Sequence, residues 1–265
     1  MTDVVAINIE NKVATITIQN GKVNAISHQV IDELNKALDK AQEAEAVVVI
    51  TGKPGMLSGG YDLNVMRESM SSAMQLVEKG STLSRRLLSF PYPVLVACPG
   101  HAVAKGAFLL LSADYRIGVE GDFKIGLNEV AIGMSMHDAG VELARGRLAP
   151  VFFNRSVILA EMVSPQDAIT MGFLDKVVDE SQFLPTVNFI AQAMTKLDMK
   201  AHYNTKLKAR ADLLKRLDAA IEKDRHGSRK KCWTSQPTID QVHFCVVVCF
   251  CWGDPKIDQV HGDFV

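Results

Sequence analysis

The stretch PYPVLVACPGHAVAKGAFLLLSADYRIG, residues 91–118, decides the fold. PYPVLVACPG is a short continuous apolar run between prolines, the pattern of a strand buried on both faces. GHAVAKGAF, residues 100–108, reads as a glycine-containing loop leading into an apolar helix, and ADYRIG closes the unit as a further strand. Strand, loop, helix, strand with almost no solvated face is the order of an α/β arrangement.

Working outward, VVAINIENKVATITI (4–18) alternates apolar and polar residues around Glu10, Asn11 and Lys12, which predicts a hairpin of two half-buried strands. SHQVIDELNKALDKAQ (27–42) carries Val30, Ile31, Leu34, Ala37, Leu38 and Ala41 at helical spacing behind Ser27 as N-cap. AVVVITG (46–52) is another buried strand, followed by the glycine-rich turn KPGMLSGGYDL and a helical segment over roughly 70–89. From about residue 140 the pattern is mainly helical, with Ser164 and Pro165 as a helix start and a long amphipathic stretch from Phe183 to Lys223. The tail from residue 226 differs. It holds TIDQVHFCVVV and KIDQVHGDFV, an imperfect repeat too short for a solenoid, and reads as an extended or disordered appendage.

The 265 residues are 48% apolar, enough for a sizeable core without staples. With 29 basic and 30 acidic residues there is no basic excess of the kind a nucleic-acid binder shows, and RHGSRKK (225–231) reads as a solvated linker. No basic start followed by an apolar run opens the chain, and the longest apolar run, FCVVVCFCW, falls far short of the roughly 20 residues of a membrane helix. A soluble, cytoplasmic protein is expected. Cys98 stands apart from Cys232, Cys245, Cys249 and Cys251 at the end. With His243 and His261 these make no zinc spacing, so neither a metal site nor a disulfide framework is expected.

Three segments carry chemical promise. The turns LSGGYDL (57–63) and GHAVAKGAF (100–108) each follow a buried strand, where ligands of α/β sheets bind. Their freed backbone amides suit a negatively charged oxygen, and two such turns meeting could form an oxyanion hole. Glycines that merely permit tight packing explain each turn equally well. Neither has the spacing of a P-loop or a dinucleotide fingerprint. The third segment, FKIGLNEVAIGM (123–134), places a single acid, Glu129, among apolar residues. Locally it fits a loop carboxylate in water, or a desolvated one suited to moving protons.

The run GKVNAI…VVVITGKPGMLSGGYDL…PYPVLVACPGHAVAKGAFLLLSADYRIG…FKIGLNEVAIGM…SPQDAITMGFLDKVV resembles the crotonase superfamily, the enoyl-CoA hydratase/isomerase family, over about residues 4–225. The resemblance implies the crotonase fold, a spiral of ββα units over residues 1–195, with C-terminal helices at 196–225 supporting trimerisation and the tail at 226–265 outside the family pattern. It implies an acyl-CoA thioester as substrate, no cofactor, no metal and a homotrimer or hexamer. It places the oxyanion donors on the backbone amides of Tyr61 and Lys105. It sets Val23 and Ala25, with Ser58, Gly59 and Gly60, along the CoA moiety.

Two departures matter. Lys105 stands where the family usually has glycine. Phe108 occupies the position of the first of the two glutamates that hydratases use, and Glu129 occupies the second. Adding water needs one group to activate it and another to deliver a proton, whereas a double-bond shift needs one base that later returns its proton. The resemblance is accordingly strongest to the Δ3,Δ2-enoyl-CoA isomerase branch. It implies conversion of 3-enoyl-CoA to 2-enoyl-CoA with Glu129 as acid and base and Phe108 lining the substrate site. His137, eight residues on, is a possible auxiliary. His101 is expected to pack, and Asp62 to start a helix. A hydratase, another crotonase-type lyase or thioesterase, or a weakly catalytic CoA-thioester-binding protein are the alternatives.

Overall fold

The computed structural model describes residues 4–227. The chain begins with the expected hairpin, β1 (Val5–Glu10) and β2 (Val13–Ile18), paired antiparallel. Asn11 and Lys12 both turn it at positive φ, 50° and 62°, the backbone hand that matches strand twist in a two-residue hairpin. Helix α1 (His28–Glu43) starts where Ser27 Oγ accepts from Val30 N–H at 3.3 Å. Its buried face is the six-residue apolar stripe read from the periodicity.

The middle of the chain winds as a spiral. β3 (Val47–Thr51) is followed by β4 (Gly55–Ser58) and helices α2 (Leu63–Glu68) and α3 (Met70–Leu88). β5 (Val94–Cys98) is followed by β6 (Gly100–Val103) and α4 (Lys105–Leu111). β7 (Tyr115–Val119) is followed by β8 (Ile125–Gly126), a 3-10 turn at Val130–Ile132 and α5 (Asp138–Arg147). The first strand of each unit joins a six-stranded sheet in the order β1-β2-β3-β5-β7-β9, and the second joins a smaller sheet, β4-β6-β8. All pairings between these strands beyond the first hairpin are parallel. This is the α/β spiral of ββα units that the family resemblance implied, followed by a helical C-terminal region.

The small sheet corrects the reading of 57–63 and 100–108 as turns alone. Strands of two to four residues, GMLS, GHAV and IG, are too short to show a period that a sequence could reveal. A second correction falls in the region read as mainly helical. After α6 (Phe153–Val157) and α7 (Pro165–Met171), β9 (Lys176–Val178) returns to the large sheet beside β7. Asp175 fixes it there: its carboxylate takes the Arg116 guanidinium at 2.7 Å and the Arg116 N–H at 2.8 Å.

The long amphipathic stretch is three helices, α8 (Glu180–Met194), α9 (Met199–Ala209) and α10 (Ala211–Gly227). Asp198 caps α9 by accepting from Ala201 N–H at 2.7 Å. Leu213, Leu214, Leu217, Ala220 and Ile221 of α10 are buried, and the helix packs on α3 and α5. The last helix therefore closes over the helices of the β3-β4 and β7-β8 units. Among the described residues no helix is long and apolar enough to cross a membrane. The repeat and cysteine cluster of the tail lie outside the described residues.

Candidate functional site

Two glycine-containing turns meet where β4 and β6 end. Gly60 has φ +107°, which glycine adopts without penalty. A Cβ there would lie 3.0 Å from Ala104 Cβ and 3.7 Å from Lys105 N, so the two backbones run nearly in contact. Ala104, the residue before α4, is held at φ 49°, ψ −116°, a conformation L-residues rarely adopt. Such strain persists where surrounding structure over-determines it. Its result is that Lys105 N–H opens α4 without an intrahelical acceptor. Among the described residues neither the Tyr61 nor the Lys105 amide donates to a backbone carbonyl.

The segment Val23–Ala25 is laid beside the first turn. Gly59 N–H donates to Val23 O at 2.8 Å, and Ile26 N–H donates to Gly60 O at 2.8 Å. Ser58 Oγ donates to Asn24 O at 2.8 Å and accepts from Gly60 N–H at 3.1 Å. The structure thus brings Val23, Ala25, Ser58, Gly59 and Gly60 together along one edge. Asn24, inside that segment but given no role of its own from the sequence, is the anchor. Fully buried at φ 48°, it donates from Nδ2 to Ile18 O at 2.9 Å and reaches Met56 O and Leu57 O. The available signal was an asparagine flanked by Val and Ala, since Asn tolerates the left-handed region.

Glu129 sits just before the 3-10 turn and is 8% exposed. Its Oε2 has no hydrogen-bond partner among the described residues. Burial raises its carboxyl to about 7. Of the two local readings of this acid, the desolvated one is what the fold builds. Tyr61 lies within its electrostatic reach: burial and the carboxylates of Glu129 and Asp224 hold the phenol above its usual range.

Phe108, 2% exposed, lines a cavity of about 10 Å³ together with Ser81, Ser84, Lys105, His137 and Gly140. His137 meets the Phe108 ring edge-on, with ring centres 5.6 Å apart, and burial lowers its imidazole to about 4. It is neutral at physiological pH and its place is against Phe108. Lys105 Nζ donates to Gly80 O at 2.6 Å and Ser84 Oγ at 2.7 Å, and burial alone lowers the amine to about 7. Asp224 of α10, also unforeseen, accepts from Asp138 N–H and Ala139 N–H at 2.9 Å each and so caps α5.

The remaining candidates are structural. Asp62 caps α2 by accepting from Asn64 N–H at 2.9 Å. His101 Nδ1 accepts from Lys124 N–H at 3.0 Å and stacks edge-on with Phe123. A roomier depression of about 620 Å³ lies at the other end of α5, lined by Asp114, Arg147, His202, Lys206 and Arg210. Its cations are occupied: they donate to Leu88 O, Phe90 O, Leu111 O and Ala113 O at the ends of α3 and α4, and two hold Asp114. Among the described residues no group of three or more His, Cys, Asp or Glu could hold a metal ion.

Comparison with known proteins agrees with this architecture. An enoyl-CoA hydratase/isomerase family protein from Pseudomonas syringae is 58% identical, with a TM-score of 0.83 over 85% of this chain and 98% of that one. Human mitochondrial delta3-delta2-enoyl-CoA isomerase is 26% identical, with a TM-score of 0.78 over 86% and 92%. A probable enoyl-CoA hydratase of Bacillus subtilis is 27% identical over 64% of this chain and 67% of its own length. The family model for enoyl-CoA hydratase/isomerase matches residues 8–232. With the spiral of ββα units, the paired turns and that match across most of its length, the chain belongs to the enoyl-CoA hydratase/isomerase family of enzymes.

Proposed function

We propose that this enzyme shifts the double bond of a 3-enoyl-CoA to give the 2-enoyl-CoA. The thioester oxygen accepts hydrogen bonds from Tyr61 N–H and Lys105 N–H, and the CoA moiety runs along Val23, Ala25 and Ser58–Gly60. Glu129, as carboxylate, takes a proton from C2. The electron pair moves into a dienolate whose charge rests on the thioester oxygen between the two amides. Glu129, now the carboxylic acid, returns the proton at C4, and the 2-enoyl thioester re-forms. Proton and electron count balance without a cofactor. Burial serves both half-steps, because a group near 7 gives and takes protons at neutral pH with little bias.

The observation that carries this reading is the pairing of a buried Glu129, whose Oε2 has no partner among the described residues, with Phe108 at the position of a second acid. Phe108 removes a proton donor and water-binding surface from that side. A hydratase is the second reading, favoured by the names of several relatives and by the neutral His137 beside Phe108. The same proposal includes a homotrimer or a hexamer. Val151, Leu159 and Phe189, each more than two-thirds exposed, are apolar surface that assembly would cover. Light scattering on the purified protein reads that mass directly.

Product analysis with matched 3-enoyl-CoA and 2-enoyl-CoA tests the reaction. A 2-enoyl product from the 3-enoyl ester supports isomerisation. 3-Hydroxyacyl-CoA or free CoA as the main product overturns it in favour of hydration or hydrolysis. Binding of esters with no turnover of either overturns it in favour of a CoA-thioester-binding protein.

A further inference from the structure

The side chains of the two residues whose amides form the paired turns converge on one stretch of α3. Lys105 Nζ donates to Gly80 O at 2.6 Å and to Ser84 Oγ at 2.7 Å. The Tyr61 hydroxyl reaches the preceding turn, 3.5 Å from Val77 O. A Cβ on Gly80 would sit 2.1 Å from that hydroxyl, so the phenol is admitted only because residue 80 has no side chain. Val77–Ser84 therefore braces both turns at once.

The Lys105 ammonium is also out of place electrostatically. It is 1% exposed, and among the described residues no carboxylate lies within ion-pair distance of it. Its backbone opens α4, while the Nζ itself is held on α3 by Gly80 O and Ser84 Oγ. The groups facing it are Ser81 and Ser84 from α3, Phe108 from its own helix, His137 just before α5, Gly140 from α5 and Leu217 from α10. None carries negative charge. The carboxylates of Glu129 and Asp224 act electrostatically on Tyr61.

Resting on the isomerase reading above, we propose that Lys105 is a positioning residue with an electrostatic role. Its side chain ties the second turn to α3, and its uncompensated positive charge is balanced by the enolate that forms against its own backbone amide. A strut that served folding alone would be better made from an apolar side chain, since burying an unpaired ammonium destabilises the fold. The cost is rational where the missing counter-charge arrives with the transition state.

The free enzyme then needs Glu129 ionised and Lys105 protonated. Burial sets both near 7, so kcat/KM rises through about 7 on the Glu129 limb and falls above about 7 on the Lys105 limb, a narrow bell.

The test compares Lys105→Met, which loses charge and donors, Lys105→Gln, which keeps donors, and Lys105→Arg, which keeps charge. Three readouts are taken: steady-state turnover of 3-enoyl-CoA, exchange of the C2 proton of butyryl-CoA with deuterated water, and melting temperature at pH 6. Met and Gln are expected to lower kcat and exchange about 10- to 100-fold with KM within about threefold. Both lose the high-pH limb while melting at or above the wild-type temperature, and Arg restores part of the rate. Parallel loss of melting temperature and rate, with both pH limbs retained, makes Lys105 a structural strut and overturns the proposal. Wild-type exchange that depends on Lys105 without isomerisation overturns the isomerase reading alone. Exchange unchanged in Lys105→Met overturns the Lys105 proposal alone, and a wild type that neither exchanges nor isomerises overturns both.

Discussion

Among the described residues two lysines are buried, and their surroundings differ in kind. Lys206, on α9, gives one hydrogen to Phe90 O at 2.9 Å, one to Tyr92 O at 3.0 Å and one to the Asp114 carboxylate at 2.6 Å. Asp114 also holds Arg210 at 2.8 Å and Val94 N–H at 2.7 Å, so α9 and α10 dock through a saturated cluster. Lys105 has two neutral acceptors and no carboxylate among the described residues. Burial lowers both amines, but at Lys206 the Asp114 charge opposes the shift. The carboxylates repeat the contrast: Asp224 accepts two amides, while Glu129 Oε2 has no partner among the described residues. Charges that hold the fold together are matched. Lys105 and Glu129 have no charged partner among the described residues, as expected where groups wait for a ligand.

That contrast fails if the unmatched groups prove dispensable for chemistry. Glu129→Gln is expected to lower turnover of 3-enoyl-CoA by about 10²- to 10⁴-fold while CoA-ester affinity, read by calorimetry, is retained. The stability sign is opposite. The folded carboxyl lies near 7, above its unfolded value of 4.5. The stability it contributes is full below that unfolded value and is lost as pH rises through 7. The glutamine variant should therefore match the wild type in acid and exceed it at pH 8, on the order of 3 kcal/mol in thermal melts. Unchanged turnover removes Glu129 from the mechanism. The matched partner should respond the other way. Lys206→Met strips two carbonyls and Asp114 of an ammonium and should lose on the order of 3 kcal/mol, about 6–12 °C in melting temperature. A variant as stable as the wild type would erase the distinction between the two lysines.

Legibility in the sequence follows the same division. Periodicity sufficed for the hairpin, α1 and the apolar strands, because each writes its burial into a run of adjacent residues. It failed for β4, β6 and β8, too short to show a period, and for β9, three residues among helices. The candidate site was legible where backbone amides matter, since glycine turns mark them. It was illegible where distant side chains meet. Asp224 reaches α5 across 86 residues, Lys105 reaches Gly80 across 25, and Asn24 reaches Leu57 across 33. The residues around Glu129 left its carboxylate open between water and burial, and the fold decided for burial.

Giving Lys105 a partner probes the same division from the other side. Phe108→Glu would set a carboxylate in the cavity that Lys105 and His137 already share. An opposite charge nearby favours the ammonium, so the high-pH limb of the rate profile should move upward. With a second acid opposite Glu129, 3-hydroxyacyl-CoA should form from 2-enoyl-CoA at least about tenfold faster than in the wild type. Chromatographic product analysis decides it. A folded variant that binds ester yet hydrates nothing would mean that the missing acid is not what separates the two reactions.

The smallest effect belongs to the matched carboxylate. Asp224 stands to Glu129 as Lys206 stands to Lys105: its two oxygens take the Asp138 and Ala139 amides at the start of α5, and the tie joins α10 to the helix that follows His137. Asp224→Ala leaves those amides without their acceptor and should lose about 1 kcal/mol, roughly 2–4 °C in melting temperature. Because the amides belong to the fold rather than to the paired turns, turnover should stay within about threefold of the wild type. A rate loss approaching that of Glu129→Gln would place Asp224 in proton transfer, and the line between matched and unmatched charges would then have to be drawn elsewhere.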